Sequence, residues 1–219
     1  VVIEHKPVRV GLLGLGQMGR NHLRILRMLR EVDLVFVHDA NEAHAEALAI
    51  QHGVRAEADP VAAASTVDAM VICTPTSTHA DYVRHLAPHV RALFVEKPLA
   101  HSFEAAETIA DIVRQHGTFI QVGFIERFNP AVVALKQVLE DARRLINFYF
   151  TRTNRLSSRI TDVDVIMDLM VHDLDLALHV NGPVRQVEAH GVAQDGLIEF
   201  ASALLRHDNG RFSRVLASR

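Results

Sequence analysis

Val8-Arg-Val-Gly-Leu-Leu-Gly-Leu-Gly-Gln-Met-Gly19 is the stretch of sequence that decides the fold. Its first six residues are a short apolar run, which is typical of a buried strand. Gly14, Gly16 and Gly19 follow at the spacing of a dinucleotide-binding turn, and Gln17–Arg30 has an apolar pattern close to the helical period. The first glycine permits a tight turn, the second a close approach to a pyrophosphate, and the third close packing of helix on strand. The stretch therefore predicts a strand, a phosphate-binding turn and a helix whose first amides face an anion.

A second apolar strand, from Asp33 to His38, follows this helix and ends at Asp39. About twenty residues after the glycines, a dinucleotide-binding fold places an acid that accepts hydrogen bonds from the adenosine ribose. A carboxylate at this point repels the 2′-phosphate of NADP, and Ala40 and Asn41 supply no cation to offset it. We therefore expect NAD as the cofactor. The alternative is that Asp39 only caps the helix beginning near Asn41.

Composition and charge restrict the class of protein. The chain has 219 residues, is 49% hydrophobic and 22% charged, and carries a net charge of -3. This composition is typical of a soluble globular protein and does not favour nucleic acid or a membrane as a partner. Residues 1–7 lack the basic-then-apolar pattern of a signal peptide and no apolar run has membrane-spanning length, so we expect neither feature. The single cysteine, Cys73, fits a reducing compartment, so we expect a cytoplasmic protein in which this thiol is an inert core residue.

Strands and helices alternate up to residue 123, and the pattern then changes. The apolar strands of the first part predict an α/β Rossmann domain over residues 1–123, with a doubly wound parallel sheet covered on both faces. Residues 124–219 predict an α+β domain with an open antiparallel sheet, which would serve substrate binding and oligomerisation. Its expected elements are a helix from Asn129-Pro130 to about Ala142, a strand over Leu145–Thr153, a helix over Asp164–Val180, and three strands ending in a hairpin at Asp208–Gly210.

Four motifs together resemble the glucose–fructose oxidoreductase, inositol dehydrogenase and MocA family of NAD(P)-dependent oxidoreductases. They are Gly14-Leu-Gly-Gln-Met-Gly19, Thr74-Pro-Thr-Ser-Thr-His79, Glu96-Lys-Pro98 and Asp168-Leu-Met-Val-His-Asp173. The runs 123–130 and 164–175 are most similar to the nucleotide-sugar branch, such as UDP-N-acetylglucosamine 3-dehydrogenases. Members of this family are usually longer, so the resemblance implies further C-terminal strands that this sequence lacks.

The resemblance implies a cis Lys97–Pro98 bond and a set of cofactor-binding residues. That set is Gly14, Gly16, Gln17, Met18, Gly19, Asp39, Thr74, Pro75, Thr76, His79, Glu96 and Lys97.

Lys97, Asp168 and His172 are the predicted catalytic residues. Oxidation of a sugar carbinol by hydride transfer needs a base for the hydroxyl proton and a donor for the developing alkoxide. Lys97 follows a predicted parallel strand beside the cofactor crevice, where its ammonium can polarise the reacting oxygen; the alternative is a surface pair with Glu96. Asp168 and His172 are four residues apart on the predicted helix and so share a face. His172 would be the general base, and Asp168 would orient it or bind a neighbouring hydroxyl; the alternative is a solvated polar stripe.

Arginines concentrate just after the first domain, around the predicted interdomain cleft. Arginine suits bidentate binding of phosphate, so Arg127 and Arg155 are predicted to hold the diphosphate of a nucleotide sugar, unless they are solvated surface residues. The predicted substrate-binding set is Arg127, Asn129, Arg155, Asp168 and His172, with Arg152 and Asn154 close by.

No metal site is expected. His85 and His89 have ligand-like spacing, but Pro88 would break the helix that they need.

These observations predict an NAD-dependent oxidoreductase that moves a hydride from a sugar hydroxyl carbon, in a nucleotide sugar such as a UDP-hexosamine. One alternative is dehydrogenation of a free polyol such as inositol. Another is a dinucleotide-binding regulatory protein without turnover. The expected partners are a small-molecule substrate and further copies of the chain, joined through the open sheet.

Overall fold

The computed structural model describes residues 6–140, 146–154 and 163–219 and forms two compact units. Unit 1 is Val1–Gly123 and unit 2 is Phe124–Arg219. The predicted substrate residue Arg155, the predicted helix end near Ala142 and the first residue of the predicted strand at Leu145 lie outside the described residues. Every helix in the described part of the chain is too short or too polar to cross a lipid bilayer.

Unit 1 contains one parallel sheet of six strands in the order β3-β2-β1-β4-β5-β6. The order reverses beside β1, which is the switch point where ligands bind in such sheets. The elements are β1 (Val8–Leu13), α1 (Gln17–Met28), β2 (Val32–His38), α2 (Glu42–His52), β3 (Arg55–Ala56), β4 (Ala69–Ile72), α3 (His79–Leu86), β5 (Ala92–Val95), α4 (Phe103–His116) and β6 (Phe119–Val122). The predicted Rossmann sheet is confirmed.

The inner strands β1, β2 and β4 bury side chains on both faces, which explains their apolar runs. Leu13, Phe36 and Ile72 belong to one core cluster, whereas Leu12 and Leu34 belong to a second cluster.

Local signals set the helix ends in unit 1. Asn41 and Ser102 accept hydrogen bonds from backbone N–H groups in the first turns of α2 and α4. Gly53 and Gly117 end these helices in the left-handed conformation. Helix α1 ends at Met28 instead of the predicted Arg30, because Leu29 is already extended.

Unit 2 contains a four-stranded sheet in the order β7-β10-β9-β8. Its elements are α5 (Pro130–Glu140), β7 (Asn147–Thr153), α6 (Val171–Asn181), β8 (Val184–Gln194), β9 (Leu197–His207) and β10 (Phe212–Ser218). The antiparallel prediction is correct for β8, β9 and β10 but wrong for β7, which pairs with β10 in parallel. A hairpin joins β9 to β10, whereas β7 reaches the sheet through a helical crossover, which permits parallel pairing.

The predicted long helix begins irregularly. Ile166–Met170 forms a π turn, and the Val171 N–H donates to the carbonyl oxygen of Ile166, five residues earlier. The prediction of one regular helix over residues 164–180 was wrong at this turn, because apolar periodicity cannot register an extra residue in a turn. Val165 and Met170 pack with the buried side chains of β9 and β10 to form the core of the unit.

Candidate active site

The glycine turn of unit 1 combines tight packing with one open position. Gly14 has φ 82° and donates its N–H to the carbonyl oxygen of His38 at 2.8 Å. A Cβ at Gly14 would lie 2.6 Å from the Cys73 carbonyl group, and a Cβ at Gly19 would collide with the carbonyl oxygen of Gly14. A Cβ at Gly16 would meet nothing within 4 Å. The packing therefore needs glycine at positions 14 and 19, while position 16 faces space that a ligand can enter.

The N-terminus of α1 follows this turn directly. Gly16 is its N-cap, and no side chain in the described part of the chain caps its first turn. Gln17 and Met18 are exposed, and the first turn contains no acid. The first amides of α1 can therefore donate to a pyrophosphate, with the helix dipole favouring a negative charge.

Asp39 supports the glycine turn from the end of β2. Its Oδ2 accepts the Leu15 N–H at 2.7 Å and its Oδ1 accepts the Asn41 N–H at 2.9 Å. The alternative in which Asp39 caps α2 is wrong, because Asn41 is the N-cap. Each carboxylate oxygen can accept a further hydrogen bond, so the group can still bind ribose hydroxyls.

The surroundings of Asp39 are acidic. A shallow depression is lined by Asp39, Glu42, Glu46 and Glu57, and Arg55 pairs with Glu57 at 2.9 Å. The field at the end of β2 is therefore negative, which disfavours a second phosphate on the ribose.

The Thr74–His79 turn follows β4. Pro75 is exposed and Thr76 is half-buried, whereas His79 is only 1% exposed. The His79 ring lies 3.0 Å from the carbonyl oxygen of Thr74 through Nε2 and 3.1 Å from that of Pro98 through Nδ1. This buried ring therefore connects the turn after β4 to the turn after β5.

The turn after β5 contains the predicted catalytic lysine. The Lys97–Pro98 bond is cis, as the resemblance implied, and Lys97 is half-buried. Glu96, which is 7% exposed, accepts the backbone N–H of Lys97 at 3.1 Å through Oε2. Its Oε1 lies 2.7 Å from Nε2 of His22 on α1.

Sequence reasoning missed the cluster of His22, Cys73 and Glu96. Their ligand atoms lie within 4.8 Å of one another, so a metal ion could use this set. Burial, followed by the charge of Glu96, raises the pKa of the Cys73 thiol well above its ordinary range. The available signal was the position of His22, three residues after Gly19 and hence on the face of α1 that packs against the strands.

Asp168 in unit 2 lies in the π turn and accepts a hydrogen bond from Arg219 at 3.0 Å. Arg219 also donates to the carbonyl oxygen of Val163 at 2.8 Å, and Asp164 caps the turn by accepting the Ile166 N–H at 3.0 Å. The α-helical spacing argument for Asp168 therefore does not apply. Arg219, with a 5% exposed side chain, is a partner that sequence reasoning missed.

Arg127 and Arg152 of unit 2 are paired with carboxylates. Arg127 donates through Nε and Nη2 to both oxygens of Asp175, and Arg152 donates to Asp173 at 3.0 and 2.9 Å and to Glu126 at 3.1 Å. These hydrogen bonds raise the pKa values of both guanidinium groups. Because the two cations are already compensated inside the unit, their presence no longer argues for a phosphate ligand.

Asn129 has two local roles. Its Oδ1 accepts the Ala131 N–H at 3.0 Å, which caps α5, and its Nδ2 donates to Glu126 at 3.0 Å. Glu126 in turn is close to His172, the half-buried candidate base in the first turn of α6. The hydrogen bond from Asn129, then Arg152, and finally the charge of His172 lower the pKa of Glu126. An ionised Glu126 can therefore stabilise the imidazolium that forms when His172 takes a proton.

Comparison with known proteins gives matches over nearly the whole described chain. Residues 8–124 match the oxidoreductase family with an NAD-binding Rossmann fold, and residues 143–219 match the GFO/IDH/MocA C-terminal domain. The inositol 2-dehydrogenase of Rhizobium meliloti is 33% identical, over 97% of this chain and 69% of that protein. The UDP-N-acetylglucosamine 3-dehydrogenase of Acidithiobacillus ferrooxidans is 34% identical, over 97% of this chain and 67% of that protein.

A solved structure of this UDP-N-acetylglucosamine 3-dehydrogenase aligns with a TM-score of 0.88 and 32% identity, covering 97% of this chain and 70% of that one. The chain thus spans about two thirds of the length of these relatives.

Proposed function

Because this chain belongs to the GFO/IDH/MocA family of NAD-binding oxidoreductases, we propose that it oxidises a ring hydroxyl of a cyclic polyol or sugar. The observation that carries the proposal is the glycine turn of unit 1, with Asp39 bound to its backbone and Lys97 on the turn after β5. NAD, when bound, accepts the hydrogen and both electrons of the carbinol C–H bond. The hydroxyl proton goes to the protein, so the products are a ketone, NADH and one proton.

We propose NAD instead of NADP. The support is the carboxylate of Asp39 at the end of β2, together with Glu42 and Glu46, which line the same depression. A 2′-phosphate brought to this surface would meet several negative charges, whereas the ribose hydroxyls of NAD can donate to Asp39.

The proposed catalytic roles divide between Lys97 and His172. The Lys97 ammonium donates to the reacting oxygen and stabilises the alkoxide that forms as the proton leaves. His172 takes that proton, and the nearby ionised Glu126 offsets the new charge on the ring. Asp168 holds the start of the helical segment through Arg219, or binds a neighbouring hydroxyl.

The substrate is proposed to be an uncharged cyclic polyol or sugar. The support is the pairing of Arg127 and Arg152 with buried carboxylates, since a ligand without phosphate needs no free cation. A nucleotide sugar is the second candidate, and the UDP-N-acetylglucosamine 3-dehydrogenase relative supports it. In that case Arg155, outside the described residues, is the arginine to test for contact with the diphosphate.

The test is reduction of NAD and of NADP with a panel of inositols, free hexoses and UDP-hexosamines, followed by absorbance at the NADH wavelength. We expect turnover with NAD and an inositol or a hexose. Faster turnover with a UDP-hexosamine would transfer the assignment to the second candidate. Lys97→Met and His172→Ala should each retain NAD affinity and lose about 10²–10⁴-fold in kcat. A protein that binds NAD and turns over no member of the panel would instead fit the regulatory alternative.

We also propose that the chain self-associates through the sheet of unit 2. Tyr149 on β7, Val187 on β8 and Leu204 on β9 are exposed large side chains, which supports contact with another copy. Light scattering on Tyr149→Lys should give a smaller mass than the parent chain. An unchanged mass would contradict self-association through this surface.

A further inference from the structure

The carboxylate of Glu96 is held from two sides in unit 1. Its Oε2 accepts the backbone N–H of Lys97 at 3.1 Å, and its Oε1 lies 2.7 Å from Nε2 of His22. The backbone of Glu96 is also fixed, because its N–H donates to the carbonyl oxygen of Ile72 in the neighbouring strand. A carboxylate that is 7% exposed and bonded in this way cannot move without loss of a part-buried hydrogen bond.

His22 is held by its bond to Glu96 and by a contact with an aromatic ring. It lies on α1, one turn after Gly19, and its ring meets the Phe94 ring edge-on at a centroid distance of 5.1 Å. The ring nitrogen that faces Glu96 must carry the proton when the carboxylate is ionised, since a carboxylate can only accept. His22 therefore connects the helix that follows the glycine turn to the end of β5.

The fit of this pair depends on a glycine. A Cβ at Gly123 would lie 2.9 Å from Oε2 of Glu96, closer than Cβ atoms approach other heavy atoms. Gly123 donates its N–H to the carbonyl oxygen of Val95 at 2.8 Å, so its backbone cannot retreat from the carboxylate. The space for Glu96 is thus fixed by the backbone on one side and by His22 on the other.

We propose that His22 and Glu96 are a positioning pair that sets the location of Lys97 relative to the pyrophosphate-binding end of α1. One end of the pair is on the helix whose N-terminus faces the cofactor, and the other end is bonded to the backbone N–H of Lys97. Misplacement of a catalytic group by about 1 Å can cost on the order of 10²-fold in rate, so such a connection has kinetic value. The inference rests on the proposed function, in which Lys97 donates to the reacting oxygen.

The first test needs no turnover. Lysine occurs in this sequence only at positions 6, 97 and 136, so reductive ¹³C-methylation gives three lysine signals, which Lys97→Arg assigns. His22→Ala should shift the Lys97 methyl signal in the presence of NAD and leave those of Lys6 and Lys136 in place. His22→Gln, which keeps an amide N–H donor near the position of Nε2, should return the Lys97 signal toward its original place.

The second test is kinetic, with His85→Ala as the matched control. His85 is a histidine of the same unit that is bonded only to Asp81 of its own helix among the described contacts. His22→Ala should lower kcat about 10- to 100-fold, while the NAD dissociation constant changes less than about threefold. His22→Gln should recover most of the loss, and His85→Ala should change neither quantity.

Several results would overturn the pairing role. One is a Lys97 methyl signal that does not shift in a folded His22→Ala protein. Another is an equal loss of kcat in His22→Ala and His22→Gln. Stoichiometric zinc in the purified protein that is lost in Cys73→Ser would show that the cluster is a metal site instead. If no substrate is oxidised but the Lys97 signal still responds to His22, the proposed function fails while the pair survives. If turnover is normal and the signal does not respond, only the pair fails.

Discussion

The glycine turn of unit 1 and the first turns of α6 in unit 2 hold their acidic side chains in opposite ways. In unit 1, Asp39 accepts hydrogen bonds from the backbone N–H groups of Leu15 in the glycine turn and of Asn41. In unit 2, Asp168, Asp173 and Asp175 are each bound by an arginine from another element. The difference teaches that the position of Asp39 depends on the path of the backbone, whereas the acids of unit 2 depend on pairs of side chains that are distant in sequence.

The largest expected effect comes from Gly19→Ala. Its Cβ would collide with the carbonyl oxygen of Gly14, and a backbone atom cannot give way as a flexible side chain does. We expect a loss of about 4 kcal/mol or more in unfolding free energy, measured by urea denaturation. The matched control is Gly16→Ala, whose Cβ meets nothing within 4 Å, so it should keep its stability and bind NAD more weakly. Equal stability of the two variants would contradict the conclusion that the packing requires glycine at position 19 but not at position 16.

In unit 2, Arg127→Met should lower the unfolding free energy by about 1–3 kcal/mol, because it leaves the buried Asp175 carboxylate without its partly exposed cation. The control is Arg114→Met, which breaks a pair with Asp111 in which both side chains are about three-quarters exposed. Exposed pairs contribute about 0–1 kcal/mol, so the control should change little. If the two variants lost the same amount, the charge pairs of unit 2 would have no special structural role.

Asp39→Asn tests whether the charge of the acid beside the glycine turn sets the affinity for the cofactor. The amide keeps one oxygen acceptor but loses the charge, so NAD should bind about tenfold more weakly and NADP should improve relative to it. Both dissociation constants can be measured by fluorescence titration. Asp33→Asn, the same change at the exposed start of β2, should alter neither constant. Tighter binding of NADP by the unmodified chain would contradict the assignment of NAD.

The smallest effect concerns His179 on α6, which lies 3.1 Å from Nζ of Lys136. Burial, then the charges of Lys136 and Arg127, lower the pKa of His179. The folded chain thus binds this proton less readily than the unfolded chain, so stability should fall as the pH drops below about 6.5. Lys136→Gln should raise the pKa of His179 in an NMR titration and reduce this fall. An unchanged titration would exclude Lys136 as a cause.

Much of unit 1 could be predicted from sequence because its signals are local. The glycine spacing, Asn41 and Ser102 as caps, and Gly53 and Gly117 as helix ends each lie within a few residues of the structure they determine. The pair of His22 and Glu96 could not be predicted in the same way, since the two residues are 74 positions apart.

Unit 2 shows the limit of sequence reasoning more clearly. Arg127 was interpreted as a phosphate ligand from its charge, but its partner Asp175 is 48 positions away. The parallel pairing of β7 with β10 and the π turn before α6 also depend on tertiary contacts that no local pattern encodes. The assignments of Lys97 and His172 as catalytic residues stay predictions until turnover is measured.

The π turn at Ile166–Met170 makes the length of this segment as important as its composition. A π turn contains about one residue more than an α-helical turn, so deletion of a single codon here could restore regular α-helical hydrogen bonding. The same deletion would rotate Asp164 and Val165, which lie directly before the turn, by about 100° relative to α6. Asp164 would then no longer be placed to accept hydrogen bonds from the Ile166 N–H and from Arg219. Single-residue insertions and deletions in this turn are therefore steps by which related chains could re-aim the polar groups before α6 without changing the sheet.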